Sequence, residues 1–590
     1  MHSTGRLLCL VAMSVFWVGV ARGDDVIESV MDRDPIIVLP KTEPSFAPGL
    51  LDLWLAALER PEVEMRTSAA TAIAAAQRRG MTGLTVAVEP LRKALDKGDP
   101  NPNVRLAVAT ALVALDAKVA ADSLLKASES SAELREVIYP ALARWDHAPA
   151  RSVWMGRLDK PFPYSRSHIL AVRSLAVVRE AKAIPRLREL LFAADITPPM
   201  RLEVARSLSV LSPSGLEADA RRCTADLLVA ATLLRHHSGN DAVRLLQGFA
   251  TSDATSVAGV AVARLLEVDP KLGLPGVDSV LANRDAETRR LGVEVLFRLP
   301  ATEHVAKLGR MLADAHPLVR NHARRALVGY AATLPLRPAV EMQIAKSLDA
   351  PDWRGQEQAA LLAGQLKHRP VGERLVVHLS SKRAEVFIAA AWAVRELAVT
   401  ETLPAVHEHV KLRHKQMLAS GSTTGMENVT ADQLDRHLSQ LVQFLGQTKY
   451  KPADAVLRAL VPRFVRAGRP PGFTPVGGET RAAAIWAISK HYTDRLDEPL
   501  AEELLERLTG DGAMGSDDER VRRMVPIALT RMKAAATLTV LRQFSQEDKA
   551  TLEPSAHACR WAVSQLNRKP LPLPDPVAVP QTDWFLVPYK

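Results

Sequence analysis

The chain has 590 residues, of which 47% are hydrophobic, 24% charged and 5% aromatic, and its formal net charge is +10. This balance is typical of a folded globular chain and excludes a disordered, a collagen-like or a coiled-coil protein. The presence of only three cysteines excludes a disulfide-stabilised scaffold and a cysteine-rich zinc protein.

Residues 1–23 are predicted to be a signal peptide. Arg6 precedes an apolar run of 14 residues, and the small residues Ala21 and Gly23 occupy the −3 and −1 positions of a cleavage site. This arrangement is typical of a secretory leader, whereas the alternative, a retained membrane anchor, needs roughly 20 apolar residues. We therefore predict a secreted or periplasmic protein whose mature chain has no transmembrane segment.

Residues 24–48 are rich in proline and carry the sequence PIIVLPKTEPSFAPG. Because proline opposes regular helix and favours extended backbone, this segment is predicted to be a linker or an extended strap over the first repeat.

Residues 49–566 show a repeated pattern. In residues 317–330 (PLVRNHARRALVGY), a Val-Arg start is followed by a small residue four positions after the Val and by Ala-Leu at positions seven and eight. The frame recurs, mostly at intervals of 30 to 41 residues, at these marks: Met65, Val104, Leu134, Ser167, Met200, Val257, Thr288, Val319, Trp353, Val386, Asp432, Thr480, Val521 and Ser555. The interval of 57 residues after Met200 is long enough to hide one further degenerate copy around residues 226–235.

Offsets four, seven and eight share one face of a helix, so each copy predicts a helix with an aliphatic ridge and a small residue at which another helix approaches closely. An amphipathic helix precedes each copy, and Asp/Pro turns join the two, as in Asp314-Ala-His-Pro317. Such pairs must stack on their neighbours to bury their apolar faces. No run alternates with period two, so no sheet is predicted.

The Asp/Pro turn, the Val-Arg start and the Ala-Leu ridge resemble the HEAT-repeat family, in the bacterial form related to phycobilisome-lyase-type repeats. The resemblance implies an all-α fold, an α-solenoid superhelix of about 14–15 helix pairs. It also implies that the protein binds other macromolecules, although a fold alone does not define a function.

Three segments break the period. Residues 418–430 form a polar loop, and residues 467–479 form a loop rich in glycine and proline that contains Phe473. Each loop is interpreted either as a binding element or as a tolerated insertion. The proline-rich tail, residues 567–590, carries Trp584, Phe585 and Tyr589, and it is predicted to dock on the last repeat as a cap or on a partner.

No phosphate-binding, dinucleotide-binding, zinc-protease, haem or hydrolase motif occurs in the sequence, so no catalytic or cofactor-binding residue is assigned. His407, His409 and His414 are the densest possible metal ligands. On a helix, however, His409 points away from the other two, so no metal site is predicted. Cys223 and Cys559 lie in distant repeats and are predicted to be buried thiols rather than a disulfide.

Tryptophans recur at offset six, at Trp392, Trp486 and Trp561. This offset lies on the side of the helix away from the ridge, so these residues, together with Phe473, are predicted to form an aromatic binding patch on the open inner surface. The alternative is that a flanking helix or the tail covers each indole.

The function that this sequence favours is an exported, non-enzymatic scaffold that binds a protein or other macromolecule through its concave surface. Recurrent arginine pairs (Arg289-Arg290, Arg324-Arg325 and Arg522-Arg523) favour an acidic protein or a polysaccharide, and the leader argues against nucleic acid. The alternatives are an enzyme or accessory lyase with a site in the groove, and a structural component of the cell envelope.

Overall fold

The computed structural model describes residues 26–159, 166–223, 225–420, 429–465, 472–510, 515–545 and 552–588. These residues fall into two units: unit 1 comprises residues 26–37 and 305–541, and unit 2 comprises residues 38–304 and 542–588. The predicted signal peptide, most of the loop 418–430, residues 467–471 of the second loop and Tyr589 lie outside the described residues.

The described residues form 30 α-helices, which alternate between a first (A) and a second (B) helix of 15 pairs. The A helices are α1 (Leu50–Leu58), α3 (Val88–Lys97), α5 (Ala121–Ser128), α7 (Ala148–Leu158), α9 (Ile184–Leu191), α11 (Glu217–Arg222), α13 (Asn240–Ala250), α15 (Val277–Leu281), α17 (Thr302–Met311), α19 (Arg337–Asp349), α21 (Gly372–His378), α23 (Leu403–Ser420), α25 (Asp454–Leu460), α27 (Glu498–Thr509) and α29 (Leu538–Ser545). The B helices are α2 (Val63–Arg78), α4 (Pro102–Ala114), α6 (Ala132–Arg144), α8 (Arg166–Val177), α10 (Pro198–Leu211), α12 (Leu227–Leu233), α14 (Thr255–Val268), α16 (Ala286–Phe297), α18 (Pro317–Ala331), α20 (Trp353–Leu366), α22 (Ala384–Leu397), α24 (Ala431–Gln447), α26 (Gly478–His491), α28 (Glu519–Arg531) and α30 (Pro554–Leu566).

Every mark of the sequence frame falls at the start of a B helix, and the suspected degenerate copy is α12. The all-α fold of about 14–15 helix pairs is therefore confirmed. The ridge at offset eight is buried, as in Leu327, Ile488 and Leu529, which are each fully inaccessible. Among the described residues, no helix combines the length and apolarity that a membrane span requires.

The arginine of the Val-Arg start closes the turn between the two helices of a pair. Nη1 of Arg289 donates hydrogen bonds to the carbonyl oxygens of Asn283 (2.9 Å) and Arg284 (3.0 Å), which precede α16. Arg66, Arg105, Arg135 and Arg320 make the same contact in their own repeats. Charged donors satisfy turn carbonyls that no helix pairs, so this part of the arginine pattern has a structural cause.

The B helices of unit 1, from α18 to α28, pack successively against one another and form one layer. Small residues allow the close approach. A Cβ atom at Gly446 of α24 would lie 2.5 Å from Cβ and 2.6 Å from Cα of Ala487 on α26. Because one of these atoms belongs to the backbone, the neighbouring helix would have to move to accept a methyl group.

Gly446→Ala is therefore expected to lower the free energy of unfolding by about 1–3 kcal/mol through overpacking. Gly355→Ala in α20 is the matched control, since its Cβ would lie at an ordinary 3.6 Å from Ala313. We expect this control to leave the free energy of unfolding unchanged or to raise it by up to about 1 kcal/mol, because alanine has a higher helix propensity than glycine. Urea unfolding followed by circular dichroism measures both effects, and equal midpoints for the two variants would contradict the close-approach argument.

The prediction of no sheet was wrong in detail, because the described residues contain two ribbons of two strands. Strands β1 (Thr42–Ser45) and β4 (Val577–Pro580) pair in parallel, and β2 (Phe464–Val465) pairs antiparallel with β3 (Gly472–Phe473). At two to four residues, these strands are too short for an alternating pattern to be visible in the sequence.

The tail docks on the first repeat rather than on the last. The Trp584 ring lies 5.3 Å from that of Trp54 on α1 and 5.9 Å from that of Phe46, and the Arg79 guanidinium lies 4.6 Å from its centroid. Arg79 also forms an ion pair with Asp583 at 2.6 Å. Aromatic stacking therefore fixes the tail at the start of unit 2, which corrects the expected cap on the last repeat.

Neither Cys223 nor Cys559 forms a disulfide within the described residues. Cys559 is fully buried, in the small-residue column where the frame places it, whereas Cys223 is only half-buried.

Candidate functional site

The first described residues of the chain, 26–37, lie on the B-helix layer of unit 1. We call this segment the strap. The sequence predicted residues 24–48 to be a linker or a strap over the first repeat. A position over the first repeat is wrong for residues 26–37, and only the residues around β1 lie there. The side chains that bind the strap come from three consecutive B helices, α24, α26 and α28, and Arg395 of α22 supports the α24 contact.

Gln443 on α24 anchors the first part of the strap. Its Oε1 accepts hydrogen bonds from Ser29 Oγ (2.9 Å) and from the backbone N–H groups of Val30 (2.8 Å) and Met31 (3.3 Å). Nη1 of the buried Arg395 on α22 donates to the same oxygen at 3.2 Å. Gln443 is itself fully buried, and Met31 is the one strap residue that is buried.

Arg523 on α28 holds Asp32. Its Nη1 donates to Asp32 Oδ1 at 3.0 Å and its Nη2 to the Asp32 backbone oxygen at 2.8 Å. One guanidinium therefore binds both a strap carboxylate and the adjacent main chain, a use of two donors that suits the forked geometry of arginine.

Three side chains converge on Asp34. Arg531 Nη2 lies 2.6 Å from Oδ1, Lys490 Nζ lies 2.5 Å from Oδ2, and Trp486 Nε1 donates at 3.1 Å to both the backbone oxygen and Oδ2. Burial opposes ionisation of Asp34, but the Lys490 hydrogen bond and the charges of Arg531 and Lys490 outweigh it and lower the pKa of this carboxyl. Asp34 is therefore ionised, and it is bound as a carboxylate.

A groove of about 800 Å³ adjoins the strap. Strap residues 27–29 and 31–33 form one wall, and the B helices contribute Glu357, Leu361, Glu385, Ile388, Gln433, Arg436, Gln440, Glu479 and Arg520. Its lining is mixed in charge. Oε1 of the buried Gln440 has no hydrogen-bond partner among the described residues.

Two carboxyl groups in the groove have raised pKa values, which favour their neutral forms. Burial is the main cause that raises the pKa of Glu357, against the opposing Gln358 hydrogen bond and Arg320 charge. Burial followed by the charge of Asp435 raises the pKa of Glu479. Raised carboxyl pKa values in a cleft indicate a functional site or a strained ion pair.

Glu357→Gln is expected to raise stability at pH 7. Because the folded-state pKa of Glu357 lies above its ordinary value of 4.5, folding penalises the charged form above that pKa, and the penalty disappears as the pH falls through it. The stability gained by Glu357→Gln over wild type should therefore decrease as the pH is lowered. Thermal unfolding between pH 7 and 4 tests this expectation, and Glu385→Gln in the same groove, expected within about 0.5 kcal/mol of wild type, is the control.

The sequence-predicted aromatic residues do not form one open patch. Trp392 is 5% and Trp486 1% exposed, so the expectation of open indoles is wrong for both. Trp392 packs against Gly364 of the neighbouring B helix, and Trp486 lies beneath the strap. Trp561, in unit 2, is half-buried. A binding role for these residues stays a prediction.

Phe473 is 62% exposed and lies on β3. Its ring lies 5.1 Å from that of Phe464, and the Arg463 guanidinium lies within 5.3 Å of it. The second loop therefore presents one accessible aromatic ring on a short ribbon, and its binding role also stays a prediction.

Sequence reasoning missed the residues that hold the strap. The Arg522-Arg523 pair was the available signal for Arg523, whereas nothing in the local pattern distinguishes Gln443, Lys490 or Arg531. Trp486 was selected as a partner-contacting residue, and its contact in the structure is with the chain's own strap.

One member of the histidine cluster, His409, lies in a buried pair with His437 of α24. His409 Nε2 lies 3.0 Å from His437 Nε2, and His437 Nδ1 lies 3.1 Å from the Phe387 backbone oxygen. Burial lowers the pKa of His409 to about 4 and that of His437 well below its ordinary value. Within the part of the chain that the structure describes, no three His, Cys, Asp or Glu side chains are grouped as metal ligands.

The comparisons with known proteins agree with this architecture. Residues 51–143 match the family model for HEAT repeats. Kap95p solved with RanGDP (TM-score 0.51) and the Kap95:Nup1 complex (0.50) are each 12% identical, over 88% of this chain and 72% and 73% of theirs. Kap121p bound to Pho4p (0.50) is also 12% identical, over 88% of this chain and 57% of its own. No curated protein matches the chain.

At 12% identity these structures establish the fold alone. Stacked helix pairs with a buried ridge define the class as an all-α solenoid. Residues 51–143 match HEAT repeats, and the other described helix pairs continue the same solenoid architecture.

Proposed function

We propose that this protein is an exported, non-enzymatic scaffold that binds another protein through its concave surface, and that the B-helix layer of unit 1 is this surface. One observation carries the proposal: the layer already holds a polypeptide segment, the strap, by contacts to its main chain and its carboxylates. A surface that binds such a segment in cis has the chemistry to bind one in trans.

The fold supports this proposal. Kap95p has been solved with RanGDP and with Nup1, and Kap121p with Pho4p, so proteins of similar architecture hold protein partners. A preformed surface loses little conformational entropy on binding, which suits a scaffold of stacked repeats.

Export is proposed from the leader-like residues 1–23. Expression in the source cell followed by fractionation and N-terminal sequencing tests this part. We expect the mature chain in the exported fraction to begin at Asp24, and an intact Met1 in the cytosolic fraction would contradict export.

Site-specific photocrosslinking tests the binding surface. A photoreactive amino acid at Ile388, which lines the groove, is expected to give a discrete protein adduct from the native compartment. The matched control is position Val377 on an A helix, which is 74% exposed. Equal crosslinking from both positions would contradict a B-helix interface.

A second candidate, an enzyme or accessory lyase, is favoured by the raised pKa values of Glu357 and Glu479 in one groove. Mass spectrometry of the crosslinked partner after incubation with wild-type protein or with the Glu357→Gln/Glu479→Gln variant separates the two functions. A covalent change that depends on the two carboxyls supports the enzyme, and an unchanged partner supports the scaffold.

A further inference from the structure

We propose that the seat of the strap is a recognition site for a short acidic segment of a partner protein, and that the strap is its built-in, displaceable occupant. The site comprises Gln443, Trp486, Lys490, Arg523 and Arg531. This inference rests on the proposed function and specifies the chemistry of the partner.

The seat contacts the main chain of the strap, at the 3-10 turn Val30–Arg33 and at Asp34 just after it. Gln443 accepts from two consecutive strap N–H groups, those of Val30 and Met31. Arg523 donates to the backbone oxygen of Asp32, and Trp486 and Arg531 donate to that of Asp34. Main-chain contacts of this kind provide affinity without selecting a sequence.

The seat also selects side chains. Met31 is buried, at 1% exposure, and the carboxylates of Asp32 and Asp34 form ion pairs with three cationic groups. Burial lowers the pKa of Arg523 and Arg531, with the strap carboxylates as the opposing influence. Removing a carboxylate would leave buried guanidinium charge without its counter-ion, which is costly. The pattern read by the seat is an apolar residue followed by carboxylates one and three positions later.

The strap has the properties of a displaceable occupant. One short 3-10 turn, Val30–Arg33, is its regular structure between residues 28 and 37, and Met31 alone among residues 26–37 is buried. The chain that follows is open, with Ile36, Val38 and Leu39 exposed by 76%, 51% and 45%. The strap therefore buries little apolar area. Its covalent tether gives it an effective concentration on the order of millimolar at the seat, and this concentration keeps the seat largely occupied by the strap.

Displacement would also change the groove, because six strap residues form one of its walls. A partner segment that replaces the strap gains access to the groove beside the seat. Recognition of the acidic segment and opening of the groove are thus the same event.

The test uses the full chain with a specific protease site inserted between the exposed residues Val38 and Leu39, cut after folding. The probe is a fluorescent peptide of residues 26–37, followed by anisotropy. The cut protein is expected to bind the probe at least about tenfold more tightly than the uncut protein, in which the tethered strap competes. A peptide with Asp32→Asn and Asp34→Asn is expected to bind at least about tenfold more weakly than the native peptide.

Arg523→Gln/Arg531→Gln in the cut protein should abolish the preference for the acidic peptide. Arg290→Gln, which removes a half-buried arginine paired with Glu287 outside the seat, is the matched control and should keep the preference for the acidic peptide. The two peptides are also compared on the cut wild-type protein, whose seat folds before cleavage. That comparison therefore does not depend on whether the arginine variants fold. Equal binding of the two peptides, or no exchange after cutting, would overturn the proposal.

Size-exclusion chromatography with and without the peptide identifies the occupant. A monomer that binds the peptide supports a partner segment, whereas a dimer that the peptide dissociates would assign the seat to a second copy and refute the partner. A Ile388 crosslink together with a failed peptide test would leave the scaffold function standing and reject this seat alone.

Discussion

Gln443→Leu is expected to release the strap and to lower the free energy of unfolding of unit 1 by about 2–4 kcal/mol, because four donors, two of them in buried hydrogen bonds, lose their shared acceptor at once. The Gln443 oxygen is the shared acceptor of Ser29, Val30, Met31 and Arg395, at 2.8–3.3 Å. Leucine has a similar volume, so the loss reports hydrogen bonding rather than a cavity. Once free, the strap also exposes the Met31 side chain.

Two measurements check this expectation, namely urea unfolding and limited proteolysis of the strap, which should be cleaved faster in the variant. Gln440→Leu, one turn earlier on α24, is the matched control. Its Oε1 has no partner among the described residues, so replacement is expected to be neutral or slightly stabilising. Equal losses in both variants would show that α24 tolerates no leucine and would refute the anchor role of Gln443.

The repeat architecture was predictable because its causes are local. The Val-Arg start closes a turn five or six residues upstream, and the ridge at offset eight lies on the same helix as its mark. Both features sit within one helical pair, so their spacing is visible in a linear sequence. For the same reason, even the degenerate copy at α12 was found from its interval.

The strap was not predictable, since its causes are remote in sequence. Ser29 and Gln443 are separated by 414 positions, and Arg531 and Asp34 by 497. The tail contact between Arg79 and Asp583 spans 504. No periodic signal links such partners, so composition identified both segments as extended and proline-rich without identifying where they dock.

Trp486 illustrates the boundary between the two cases. Offset six predicts an indole on the side of α26 away from the ridge, but the sequence cannot state what covers that side. In the structure the strap covers it and accepts the indole N–H at 3.1 Å. A pattern of residues therefore locates a face, and its exposure depends on chain segments that the pattern does not describe.

Arg481→Met is expected to have the largest effect of any single substitution considered, a loss of about 3–5 kcal/mol, because it leaves a buried carboxylate without its counter-charge. Arg481 on α26 and Asp517, just before α28, form two parallel contacts of 2.8 Å, and their side chains are 8% and 2% exposed. Loss of the guanidinium therefore weakens the junction of the two helices that carry Trp486, Arg523 and Arg531. We expect strap release to accompany the loss of stability.

Adding Asp517→Leu to Arg481→Met should restore most of the stability, because an apolar pair replaces the ion pair and no charge remains buried. Lys533→Met is the surface control, since Lys533 and Asp494 pair at 3.2 Å with exposures of 68% and 69%, and it should cost less than about 1 kcal/mol. Urea unfolding of the four proteins, with strap proteolysis alongside, forms the test. If the double variant is no more stable than Arg481→Met, the cost arises from lost packing of the arginine stem and the uncompensated carboxylate is not its cause.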